Sequence, residues 1–149
     1  MGLFVLAALG GVVVAQEAKG KSLQLKDLPA AVQKAATDNL KGGEIKSIGR
    51  EKEDGVDQYE IETVLNGKSR DFNVDAKGTL LVVEEATTID AIPPAAKASI
   101  LKKVASGKLG TVETYQKPGQ PIAYEASYTD KAGKRHEMLV RADGTEIKN

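Results

Sequence analysis

The residues of this chain with the widest chemical reach are one histidine, His136, and a set of carboxylates that recur at strand spacing. A serine or threonine triad needs a histidine base held beside its nucleophile. His136 instead sits in the run Arg135 to Arg141, next to Arg135 and in phase with Met138, which reads as a partly packed sheet histidine or an edge residue. With one imidazole there is no histidine pair for a metal. The absence of cysteine removes disulfides, zinc-thiolate sites and thiol catalysis together. Glu60 and Glu62 are two residues apart, on one side of a strand, and Asp71 falls across from them. Such a group can do acid/base work, hold a hard cation such as Ca²⁺, or stand as a solvated acidic face. Asp75-Ala76-Lys77-Gly78 and Asp143-Gly144 lack the alternating ligands and closing glutamate of a calcium loop, and read as turns. No catalytic residue, metal site or cofactor is therefore assigned, and the chain is read as a non-enzyme.

Composition narrows the partners. Lys plus Arg and Asp plus Glu stand at 21 each, so no global basic field exists to hold nucleic acid, and 4% aromatics are too few for a base-stacking platform. Hydrophobic content of 41% with 28% charge fits a folded chain.

The elements that position these residues follow from a repeat. Leu28-Pro29 corresponds to Ile92-Pro93, Tyr59-Glu60 to Tyr124-Glu125, and Phe72, Val74 and Gly78 to Met138, Val140 and Gly144. Leu28, Ala31, Val32, Ala35, Ala36 and Leu40 mark one face of a helix, with Pro29 in its first turn and Gly42-Gly43 at its end. Ile92, Ala95, Ala96, Ser99, Ile100 and Val104 repeat the spacing. Strands are expected at Ile45 to Lys52, Asp57 to Leu65, a return through Phe72 and Val74, and Thr79 to Val83. Asn66-Gly67 supplies the hairpin turn that needs two positive φ angles. In the second half, strands are expected at Gly110 to Gln116, Ile122 to Tyr128, Arg135 to Arg141 and Thr145 to Lys148. The expected fold is α+β, with two tandem repeats over 27–85 and 86–149. Each repeat is one helix followed by a four-stranded antiparallel meander, with the helices on one face of the sheet. Units of this size bury too little surface alone, so they are expected to share a core or a sheet.

Ahead of the repeats, Gly2 to Val14 is uncharged and apolar, and Val13-Val14-Ala15 offers small residues before Gln16. This reads as a signal peptide over 1–15, followed by a polar tether over 16–26. The run is shorter than the roughly 20 residues of a membrane-spanning helix. The expectation is an exported chain, periplasmic or extracellular, with no stable membrane span after cleavage.

Leu28-Pro29-Ala30-Ala31-Val32, the Tyr-Glu opening of the second strand, Asn66-Gly67 and the Phe-x-Val-x-x-x-Gly of Phe72 to Gly78 together resemble the PepSY-like domain. That domain is similar in fold to β-lactamase-inhibitor proteins. The resemblance implies a small exported α+β protein whose helix-free face binds or inhibits an envelope or secreted enzyme. That face is expected to carry Glu60, Glu62, Asp71, Asn73, Glu125, Ser127, Glu137 and Arg141, and a protein partner, a hydrolase such as a peptidase, is expected on it. The alternative is an envelope sensor of a small ligand or a Ca²⁺-like cation using the carboxylates.

Overall fold

The computed structural model describes residues 23–53 and 55–148. The signal-like run and the first part of the tether lie outside the described residues. A short 3-10 turn, Leu25–Asp27, spans the end of the tether and the start of the first repeat and delivers the chain to Pro29. Pro29 stands at the N-cap of helix α1, Ala30–Asn39, and Pro93 at that of α2, Pro94–Val104. Proline's fixed φ suits this place, and its missing N–H would have had no helical partner. Lys41 and Gly42, both at positive φ, turn the chain out of α1.

After α1 come β1 (Glu44–Glu53), β2 (Val56–Leu65), β3 (Lys68–Asp75) and β4 (Leu80–Thr87). After α2 come β5 (Lys108–Gln116), β6 (Ala123–Thr129), β7 (Arg135–Arg141) and β8 (Glu146–Ile147). Asn66-Gly67 joins β2 to β3 with φ of 52° and 79°, as its hairpin chemistry requires.

The expected fold class needs correction. The chain does not form two tandem helix-plus-four-strand repeats. It forms one antiparallel sheet of eight strands in the order β1-β2-β3-β4-β5-β6-β7-β8, with two α-helices among the described residues. The α+β class stands. What overturns the tandem arrangement is the β4–β5 ladder, which runs from Val83 opposite Gln116 to Thr87 opposite Val112. β4 continues to Thr87, whereas the expected strand stopped at Val83. A unit closing at β4 would leave an edge of unpaired N–H and C=O groups, and β5 would leave another; their pairing satisfies both.

Both helices lie on the same side of this sheet. Leu28, Val32 and Ala36 pack with Ile48, Ile61, Phe72 and Val74. Ile92, Ala96, Ile100 and Val104 pack with Val112, Ala126, Met138 and Val140. Phe72 faces Val83, Thr87 faces Val112, and Val112 faces Ala126. Because Val83 and Thr87 share strand parity, the two cores occupy one face.

Two turn glycines seat the helices. A Cβ on Gly78 would come within 2.5 Å of the Ala31 carbonyl oxygen, and one on Gly144 within 2.7 Å of that of Ala95. Arg70, buried on the same face, ties α1 to the sheet: Nη1 donates to the Asn39 carbonyl at 2.7 Å and Nε to Glu85 at 3.0 Å. One of the helix's orphan terminal carbonyls is thereby satisfied.

Candidate functional site

The face opposite the helices is built from rungs of residues that stand side by side across the strands. One rung runs Gly49, Glu60, Asn73 and Val82. The next holds Ser47 beside Glu62, then Asp71, Glu84, Tyr115, Ala123 and Arg141. A third runs Ala86, Glu113, Glu125, Leu139 and Ile147. Directly opposed residues share a face, so the register alone gathers these carboxylates onto one surface. Val82, Ala123 and Leu139, all buried, form apolar ground between them.

The expected face residues divide by what they touch. Glu60 stands half-buried in the middle of the cluster. Glu62 is exposed and accepts a short hydrogen bond from the Ser47 hydroxyl. Asp71 is turned to the backbone, accepting the Thr63 N–H and the Ser69 hydroxyl, each at 2.8 Å. Asn73 donates its amide to Glu51 at 3.0 Å, and Gln58 donates to the same oxygen at 2.7 Å. Ser127 is buried at the β5 irregularity, where its hydroxyl accepts the Thr111 N–H at 2.8 Å. Glu137 meets Arg135 at 3.2 Å, and Arg141 is exposed at the β7 end. Glu125 stands opposite Glu113.

Two central residues, Glu84 and Glu113, were not among those expected. Carboxylate oxygens of Glu84, Glu113 and Glu125 all lie within 4.8 Å of one another. The signal for Glu113 was its place in a recognised strand; for Glu84 it was parity with Val82, readable only if β4 continued past Val83.

The electrostatics follow from this crowding. Burial pushes the Glu84 carboxyl up to about 8, and Glu125, Glu113, Glu60 and Asp71 add to the effect. Glu60 is pushed up to about 7, again first by burial and then by Glu51, Glu62, Asp71 and Glu113. Glu113 is also raised by burial and by Asp71 and Glu137, with Arg135 opposing. A partly desolvated like-charge cluster favours the neutral form, which is the cause in all three cases. Chemically, the group can share protons, supply three oxygens to a hard cation, or receive basic side chains.

Elsewhere, the groups singled out for chemistry are engaged in the fold. His136 Nε2 lies 2.7 Å from Asp130 Oδ2, and its ring stacks on Tyr128 at 5.1 Å. Asp75 accepts the Lys77 and Thr79 N–H groups, and Asp130 those of Ala132 and Lys134. Asp143 accepts the Thr145 N–H. The backbone bonds hold the Asp75 and Asp143 carboxyls below the usual range, the His136 bond and then the backbone bonds do the same for Asp130, and the backbone bonds identify the segments as turns. No helix among the described residues is long and apolar enough to cross a membrane.

No family model and no curated protein sequence matches the chain. Solved structures do. A Bacteroides eggerthii protein, provisionally named as periplasmic, superposes with a TM-score of 0.65 at 15% identity, covering 81% of this chain and 86% of its own. A DUF2874 family protein of Bacteroides uniformis gives 0.64 at 17%, covering 80% and 86%. A BLIP-like protein of Bacteroides fragilis gives 0.57 at 19%, covering 79% and 82%. At these identities the likeness is one of fold. The fold is BLIP-like, as the resemblance to β-lactamase-inhibitor proteins implied, while the PepSY-like assignment finds no match.

Proposed function

We propose that the protein is an exported, non-catalytic binding module that engages a protein partner through the helix-free sheet face, and that it regulates or inhibits an envelope or secreted hydrolase. One observation carries the reading. Glu60, Glu84 and Glu113 stand together, partly buried, on the sheet face opposite the two described helices, where burial and neighbouring carboxylates raise all three carboxyls and so disfavour the charged state they would otherwise hold. A surface kept at the expense of stability is the expected mark of function.

The fold likeness supports the reading at its own level. A BLIP-like neighbour suits protein binding, and a neighbour provisionally named as periplasmic suits export. Neither is named as an enzyme, and His136 is accounted for by Asp130 and Tyr128. The hydrolase rests on the family resemblance, which is a weaker warrant than the site.

The test is capture from envelope and secreted proteins by the chain from Gln16 onward, compared with two variants of equal bulk. Ala86→Trp fills the helix-free face, and Lys34→Trp alters the exposed side of α1. A hydrolase retained by the wild type and Lys34→Trp but lost with Ala86→Trp is the expected result. Equal retention by all three would sink the assignment of this face. A divalent cation at Glu84, Glu113 and Glu125 is the competing occupant, and thermal stabilisation by Ca²⁺ without protein capture would point to it.

A further inference from the structure

We infer that the β4–β5 ladder is a pH-sensitive seam, closed while Glu84 and Glu113 hold their protons and opening ahead of either half's core as they lose them. The packing of the two halves sets this up. One core draws on Leu28 to Val74, with Leu80 and Val83 against it, and the other on Ile92 to Val140, with Ile89 against it. The ladder from Val83 opposite Gln116 to Thr87 opposite Val112 joins them. Among the ten described residues that pair in it, Val112 alone is buried. The ladders inside each half differ. β2 with β3 buries Tyr59, Ile61, Phe72 and Val74, and β6 with β7 buries Ala126, Met138 and Val140. Ion pairs such as Arg70 with Glu85 and Lys103 with Glu146 also tie residues within a half. Local opening begins where buried apolar contact is least, which is this ladder.

The carboxylates straddle the same ladder. Glu84 comes from β4 and Glu113 from β5, at diagonal positions of one face, since Glu84 pairs with Tyr115 and Ala86 with Glu113. Their oxygens and those of Glu125 lie within 4.8 Å of one another. From the other strands, Glu84 meets the charges of Asp71 and Glu60, with Arg141 farther along its rung. Glu113 meets those of Asp71 and Glu137, and Arg135 opposes them. Like charges facing each other across paired strands push them apart, and protonated carboxyls do not. Opening the seam lets water reach both groups, which favours the charged form. The closed seam therefore binds protons that the open seam releases, so closure is favoured in acid and lost as pH rises. Burial raises both carboxyls while the seam is closed, Glu84 from 4.5 to about 8, which places the change between those limits.

Native-state hydrogen exchange, read amide by amide by NMR and corrected for the intrinsic effect of pH, tests the seam at pH 5 and pH 8 over a series of low urea concentrations. The opening constant of amides bonded between β4 and β5 is expected to rise by about tenfold or more from pH 5 to pH 8. At pH 8 it should exceed that of amides bonding β2 to β3 and β6 to β7 by a similar factor, and respond less to urea, because the seam exposes less surface than unfolding does. In a variant combining Glu84→Gln and Glu113→Gln, whose fold circular dichroism checks, most of the rise should vanish. Three outcomes overturn the inference: no rise in the wild type, seam amides that share the opening constant and urea response of the inner ladders at pH 8, or a folded variant that keeps the full rise. The first two are read on the wild type alone, so they decide the matter even if the variant does not fold.

Discussion

Glu113 and Glu125 stand directly opposite each other across β5 and β6, two carboxylates in a position where a cross-strand pair normally attracts or packs. Glu84 joins them from β4. Removing one charge relieves the other two. Glu84→Gln is expected to raise stability by about 1–2 kcal/mol near pH 9, and to change little near pH 5, where the native carboxyl already carries its proton. Urea unfolding at the two pH values measures it, and a loss of stability near pH 9 would contradict the repulsion.

The whole protein should share this pH dependence. Glu60 and Glu84 have folded-state values of about 7 and about 8, above their ordinary 4.5, so the native state binds more protons than the unfolded one between those limits. Their contribution is complete below about pH 4.5 and is lost as pH rises to about 8, at up to about 1.4 kcal/mol per unit of displacement for each group. Asp75, Asp130 and Asp143 are shifted the other way, so their contribution is present above pH 3.8 and disappears in acid. Stability should therefore peak on the acidic side, near pH 4 to 5, and decline towards pH 8. A flat profile from pH 5 to 8 would show that burial and the neighbouring carboxylates do not raise these two groups.

Gly78 and Gly144 combine positive φ with a helix carbonyl where a Cβ would go. Gly78→Ala and Gly144→Ala should each destabilise by more than about 1 kcal/mol, since the added methyl both strains the turn and pushes α1 or α2 off the sheet. Gly133, at similar φ with nothing within 4 Å, separates the two effects. Gly133→Ala should cost less than either, as thermal melts would show.

Asp71 and Ser127 belong to the same face but spend their polar atoms on Thr63 and Thr111. Asp71→Ala and Ser127→Ala should each lower stability by about 1–3 kcal/mol, because each leaves a strand N–H without its acceptor. Hydrogen exchange at Thr63 and Thr111 would locate the loss. Unchanged protection there would mean that these side chains serve another purpose.

Much of the fold was legible from residue types with steep local preferences. Asn66-Gly67, Pro29, Pro93 and the helical spacing of Val32, Ala36, Ile100 and Val104 each announce an element with little help from the rest of the chain. The end of β4 was not legible. Glu84-Glu85-Ala86-Thr87 lacks the apolar alternation that identifies a half-buried strand, and it is extended because β5 supplies its ladder. That tertiary cause is what left the choice between a shared core and a single sheet open, and what hid Glu84. Glu60 and Glu62 were legible because Tyr59, Ile61 and Thr63 set the parity of β2 unaided. Ser127 shows the limit of parity: it has the right side, but the irregularity at Leu109/Val112 draws the backbone over its hydroxyl.

The strand order carries a consequence for how the molecule is made. Every strand is bonded to its neighbour in the chain, so each ladder forms as the next strand arrives. Within each half the strands are joined by short turns whose closure loses little entropy, and only the β4–β5 ladder spans the longer connection that carries α2. The core around Phe72 draws only on residues up to Val83, so it can assemble before the second half of the chain is available. β4 then presents a ready template along which β5 begins the next round, and growth can run in one direction from the N-terminal hairpin to the last short strand.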